Sequence, residues 1–152
     1  MEGNTMQKII NEVLNKCYKY TEIGKVANYI PELAKADVSK FGICVMTADN
    51  DVYSAGDYEK RFTMQSVIKP IILLLALVDN GEEAVHELVG AESTGKPFDA
   101  FNYSDQALTG AHINPMINTG AIALCTLIHG ASYEEKFARL LQLTRRLADN
   151  TE

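Results

Sequence analysis

Residues 71–78 read Ile-Ile-Leu-Leu-Leu-Ala-Leu-Val, and with Ile68 they leave no polar face. A helix that is apolar all round must be enclosed by protein. The run is far shorter than the roughly 20 residues that a membrane span requires. A second segment, residues 117–128, is Ala-rich and nearly all apolar, so it too predicts a buried helix. Two such helices in a chain of 152 residues dictate a helical core. They also demand more cover than the remaining segments offer.

The other segments divide by period. Met6, Ile9, Ile10, Val13, Leu14 and Cys17 recur at i, i+3, i+4, i+7, i+8 and i+11, one face of an amphipathic helix. A short helix is expected over residues 25–35, broken or started near Pro31. The period then changes to that of strands. Residues 41–47 and 52–55 flank Asp49-Asn50-Asp51, which predicts a β-hairpin. Asp79-Asn80-Gly81 closes the first apolar helix, with Gly81 just past its end, and a short helix follows over residues 82–89. Residues 91–114 carry Gly, Pro, Ser and Asn and read as a long loop with one helical turn. Ser132-Tyr-Glu-Glu135 is a capping box opening a last helix over residues 134–147, with Phe137, Leu140, Leu141 and Leu147 on one face. Two strands do not make an independently stable sheet. The fold class is therefore α+β, with helices packed on a partial antiparallel sheet that is incomplete.

Charge narrows the partners. The net charge is −6, and Arg145-Arg146 is an isolated pair on a helix face. Nucleic-acid binding requires a basic footprint, so it is not expected. The polar, acidic start, residues 1–5, does not read as a signal peptide. Cys17, Cys44 and Cys125 stand in or beside apolar segments without metal-type spacing, which suggests buried, reduced thiols and a cytoplasmic protein. His86, His112 and His129 lie near no carboxylate pattern that spells a metal site.

Ser66-Val-Ile-Lys69 has the form Ser-x-x-Lys. At i and i+3 on a helix the two side chains share a face. Serine needs a base to become a nucleophile, and a lysine serves when burial lowers its pKa. The apolar run that follows Lys69 suits that role. The bland alternative makes Ser66 a helix cap and Lys69 an exposed first-turn residue, since four-residue patterns arise by chance. Asn118 falls on the first turn of the second apolar helix. An amide there is either a buried structural group or a substrate contact, because it both donates and accepts. Ser104-Asp105-Gln106 nearly matches the Ser-Asp-Asn element of serine β-lactamases but lacks the final Asn, and reads as loop.

Four stretches together resemble the glutaminase family, the branch with a β-lactamase/transpeptidase-like fold. They are Gly24-Lys-Val-Ala-Asn-Tyr-Ile-Pro-Glu-Leu-Ala34, Phe62-Thr-Met-Gln-Ser-Val-Ile-Lys-Pro70, Gly95-Lys-Pro-Phe98 and Asn114-Pro-Met-Ile-Asn-Thr-Gly-Ala-Ile122. The resemblance implies hydrolysis of L-glutamine to L-glutamate and ammonia. Under it Ser66 is the nucleophile and Lys69 its activator, while Gln65, Tyr29 and Asn118 match substrate-contacting positions. No metal or organic cofactor is implied. Family members are markedly longer, so residues 1–152 correspond to the amino-terminal half of a catalytic domain. The second half would supply a glutamate, another asparagine, tyrosines and the later strands. Expected partners are L-glutamine, further copies of the chain and a carboxy-terminal half; no membrane is expected. The alone-standing chain is expected to be inactive. Two rivals remain: a catalytically dead module that folds or oligomerises, and another Ser-x-x-Lys acyl hydrolase of β-lactamase or peptidase type.

Overall fold

The computed structural model describes residues 2–93, 95, 97, 99 and 113–150. Expectations placed on Lys96, Phe98, Ser104-Asp105-Gln106 and His112, and most of the expected loop over residues 91–114, lie outside the described residues. The chain forms two compact units, Met1–Phe62 and Thr63–Glu152.

The first unit is a helix on a hairpin. Helix α1, Glu2–Cys17, follows from the expected apolar period. Ile10 on that face is buried, and Leu14 and Cys17 are half-buried. Strands β1, Gly42–Met46, and β2, Val52–Gly56, pair antiparallel with Gly42 opposite Gly56 and Met46 opposite Val52. The turn is closed by Thr47, whose N–H donates to Asp51 O at 2.9 Å and whose Oγ1 accepts from Asp51 N–H at 3.1 Å. Asn50 takes φ +65°, a conformation its short amide tolerates. Gln7 Nε2 donates to Ser54 O at 2.8 Å and ties α1 to β2.

The helix expected over residues 25–35 does not form. Residues 24–28 are irregular, and a 3₁₀ turn, Leu33–Lys35, is all that is helical there. Pro31 explains this. It lacks an N–H, and its ring pushes Ile30 away from helical backbone angles.

The second unit holds the larger core. Helix α2, Ile68–Leu88, is interrupted at Gly81, whose φ of +80° and ψ of 173° break it where the Asp-Asn-Gly stop was expected. Helices α3, Asn118–Leu127, and α4, Tyr133–Leu147, follow. Ile72, Leu75, Ala76, Val85, Val89, Ile113, Leu124 and Ile128 form one buried cluster. The enclosure expected of the apolar helices is incomplete, since Val78 is 71% exposed and Ile122 60%. Among the described residues no helix is long and apolar enough to cross a membrane.

Three finer expectations change. Leu140 packs on the core as expected and is joined there by Leu143, whereas Phe137, Leu141 and Leu147 of α4 are exposed. The capping box forms shifted by one residue: Ser132 Oγ accepts from Glu135 N–H at 3.2 Å, while Glu135 Oε2 accepts from Ala131 N–H at 2.7 Å rather than from Ser132. The cysteines are unpaired, but Cys44 and Cys125 are exposed and Cys17 is half-buried. Cys44 sits in a two-stranded hairpin too small to cover both its faces, and Cys125 points off the core side of α3. Partial burial still raises the Cys125 thiol pKa.

Candidate active site

The candidate site is built where the chain enters α2. A 3₁₀ turn, Gln65–Val67, precedes the helix and carries Ser66. Gln65 has φ +45°, in the left-handed region that a non-glycine residue occupies only at a cost of about 1–3 kcal/mol. The turn is closed by Val67 N–H donating to Met64 O at 3.0 Å. Ser66 and Gln65 are both exposed. Ser66 makes no capping bond: the residues preceding the 3₁₀ turn and α2 are Met64 and Val67, and neither helix start has a side-chain cap.

Lys69 is 7% exposed and is the buried charged residue of the unit's interior. The alternative that placed it on an exposed first turn therefore fails. An ammonium has three donors and no acceptor, so burial obliges it to find oxygens. Its Nζ donates to Asn118 Oδ1 at 2.7 Å and to Met116 O at 3.0 Å. Residues separated by 49 positions in sequence thus meet across α2 and α3. Because Lys69 only donates, the contact identifies which end of the Asn118 amide faces it.

The segment before α3 shapes this contact. Asn114 Oδ1 accepts from Met116 N–H at 2.9 Å and from Ile117 N–H at 3.2 Å, a side-chain turn that supports the start of α3. Asn114 Nδ2 donates to Glu92 O at 3.1 Å. Gly120 is buried against this turn, and a Cβ there would collide with the Asn114 carbonyl. Asn114-Pro115 is a turn signal in the sequence, but nothing in the residue types there marks the Met116 carbonyl. A backbone acceptor has no residue-type signature. The glycine in Asn118-Thr-Gly120 was the visible hint of close backbone approach.

Of the five residues singled out in sequence, Ser66, Gln65, Lys69 and Asn118 belong to the second unit, and the structure joins Lys69 to Asn118. Tyr29 belongs to the first unit, in an irregular stretch, and is 72% exposed. Among the described residues no cluster of three or more His, Cys, Asp or Glu is arranged to hold a metal ion. His86 lies 3.4 Å from Glu82 one helical turn away, and His129 Nε2 is 3.2 Å from Asn80 Oδ1.

A second polar cluster lies further along α2. Asp79 is held by Arg139 of α4 in a two-pronged pair, both contacts 2.5 Å, and its Oδ2 accepts from His129 N–H at 2.8 Å. Arg139 holds the Asp79 carboxyl well below its ordinary range, to about 2. Asn80 Nδ2 donates to Leu127 O at 2.6 Å. These bonds tie α2, α3 and α4 together and leave the Lys69 end apart.

Comparison with known proteins completes the description. A family model described as Glutaminase matches residues 24–152. A glutaminase of Fusobacterium nucleatum is 44% identical over 145 residues, covering 95% of this chain and 48% of its own length. Glutaminase 1 of Halalkalibacterium halodurans is 44% identical over 149 residues, covering 98% of this chain and 47% of its own. The chain thus spans about half the length of the curated relatives it matches. Among solved structures, a probable glutaminase from Bacillus subtilis in complex with 6-diazo-5-oxo-L-norleucine matches with a TM-score of 0.78 at 31% identity. It covers 95% of this chain and 42% of that one. The probable glutaminase ybaS matches with a TM-score of 0.82 at 33% identity, over 97% of this chain and 47% of that one.

Proposed function

The chain belongs to the glutaminase family, and from that premise we propose that it supplies the serine–lysine part of an active site that hydrolyses L-glutamine to L-glutamate and ammonia. The observation that carries the reading is the buried Lys69, whose Nζ is held between α2 and α3 one helical step from the exposed Ser66. The β-lactamase-like α+β class expected from the resemblance is that of its glutaminase neighbours.

In the proposed reaction Lys69, in its neutral form, takes the Ser66 hydroxyl proton. Ser66 Oγ then attacks the side-chain amide carbon of glutamine. The C–N bond breaks, ammonia leaves with a proton, and a glutamyl ester on Ser66 remains. Water attacks that ester, glutamate departs and the serine recovers its proton. Asn118, Gln65 and Tyr29 are proposed as substrate contacts. No metal or organic cofactor enters these steps.

Residues 1–152 are proposed to be the amino-terminal half of the catalytic domain, a reading supported by the share of the relatives that they cover. The proposed setting is cytoplasmic, which suits three cysteines unpaired with one another. A homo-oligomer is also proposed, since exposed apolar side chains such as Val78 and Ile122 favour association. Light scattering on the purified protein tests this, and a monomer at all concentrations sinks it.

Ammonia release from glutamine tests the chemistry. Ser66→Ala should abolish it in the complete protein. Retention of more than about a tenth of the rate would falsify the serine mechanism and favour the rival in which the chain is a catalytically silent module.

A further inference from the structure

Helix α4 has two apolar sides, and the core uses one. Lys136, Arg139, Leu140 and Leu143 are turned to the core side: Lys136 Nζ donates to Thr126 O at 3.3 Å, Arg139 pairs with Asp79, and the two leucines pack on the buried cluster. The other side carries Tyr133, Phe137 and Leu141, which are 75%, 52% and 36% exposed. They recur at i, i+4 and i+8, so they form one ridge along the helix. Tyr133 and Phe137 are stacked, with ring centroids 6.0 Å apart and planes at 18°, which joins them into one patch. Exposed aromatic side chains grouped in this way mark an interaction surface.

The charges beside the ridge say what fits it. The first turn of α4 carries Glu134 and Glu135, and the last turn Arg145 and Arg146. Glu134 and Arg145 are eleven residues apart, about three helical turns, so they flank the same ridge at its two ends. Their midpoint falls beside residue 139, where the midpoint of Phe137 and Leu141 also lies. A two-fold axis at that level, perpendicular to α4, therefore lays Phe137 of one copy on Leu141 of the other, and Glu134 on Arg145. We infer that the Tyr133–Phe137–Leu141 face of α4 is an interface between two copies of this chain, paired antiparallel. Such a contact is isologous: one patch serves both partners. The inference rests on the homo-oligomer reading above and deepens it by naming the face.

Charge complementarity selects a second copy as the occupant. Antiparallel pairing sets the acidic end of each α4 against the basic end of the other, while parallel pairing sets like charges together, so the ends choose the orientation. Arg145 also interacts within its own chain, and a guanidinium with five N–H donors can serve both partners. The end charges suit the dipole of α4 as well, but the exposed ridge has no such use within the helix. A contact of about three helical turns is at the small end of specific interfaces, so a dimer that dissociates in the micromolar range is expected.

The experiment follows association by sedimentation across protein concentration, with circular dichroism to check that each variant is folded. Phe137→Glu should weaken the dimer by about a hundredfold, since each copy loses an anchor. Glu134→Arg and Arg145→Glu should each weaken it by about tenfold, because like charges then meet across the two-fold. The two together exchange the signs at both ends and should restore the affinity of the parent. If the losses instead add in that double variant, the charges act within one helix and the pairing is overturned. A dimer that survives Phe137→Glu and dissociates in Val78→Glu also overturns it, and leaves the homo-oligomer reading standing on another face. A parent that is monomeric at every concentration overturns both. Binding of the carboxy-terminal half of the Fusobacterium nucleatum glutaminase to the parent but not to Phe137→Glu, with loss of the dimer, makes that half the occupant and overturns the pairing.

Discussion

Helix α2 carries a buried cation near its start, Lys69, and a half-buried anion further along, Asp79, whose side chain is 3% exposed. The two are satisfied differently. Asp79 meets an opposite charge, the Arg139 guanidinium, in two parallel contacts, and a backbone N–H besides. Lys69 meets an amide oxygen and a backbone carbonyl. An opposite charge in contact locks a group in its ionised form. The Asp79 end therefore suits a structural joint among three helices, and the Lys69 contacts described join the start of α2 to the start of α3.

This contrast can be broken at either end. The largest effect is expected at the Lys69 end: Lys69→Ala should lower ammonia release nearly as far as Ser66→Ala, by several orders of magnitude. Circular dichroism should show the fold retained. A variant that instead unfolds with its activity per folded molecule intact would make Lys69 a joint like Asp79.

Next in size is Asp79→Asn. It removes the charge that Arg139 and the His129 N–H address, and should lower unfolding free energy by about 2–3 kcal/mol in urea titration. Turnover of the folded fraction should be largely retained. Loss of turnover at unchanged stability would erase the distinction between the two ends.

The smallest effect sharpens the comparison through pH. The folded pKa of Asp79 is about 2, below the ordinary carboxylate value. Its contribution is therefore fully present above the unfolded pKa, near 4, and is lost as pH falls through about 2. Melting temperatures of the parent should drop across that window, and Asp79→Asn should flatten part of the drop. Identical acid profiles for both proteins would remove Asp79 from the account.

Much of the local structure was legible in the residues. The apolar period of α1, the Asp49-Asn50-Asp51 turn, the run that became α2 and the Ser132 cap all act over a few positions. Helix and hairpin chemistry acts over the same range, so these elements could be read. Over residues 25–35 the expected break or start at Pro31 is what remains: only the 3₁₀ turn Leu33–Lys35 is helical, and it follows Pro31. The apolar stripe of α4 shows the limit. Periodicity says that a helix has a face, and packing kept Leu140, added Leu143 and left Phe137 and Leu147 exposed.

The candidate site divides the same way. Ser66 and Lys69 stand three positions apart, in the 3₁₀ turn and the first turn of α2, and that closeness was legible as a spacing. That Lys69 is buried and not exposed, that Asn118 turns its oxygen toward it, and that a Met116 carbonyl completes the contact were decided by tertiary structure. These partners are 47 and 49 positions away, and Arg139 is 60 from Asp79. A buried charge must be satisfied by whatever oxygen or nitrogen the fold brings within hydrogen-bond reach. Which group that is depends on the packing of α2 against α3 and α4, and a backbone carbonyl leaves no mark in the residue type that carries it.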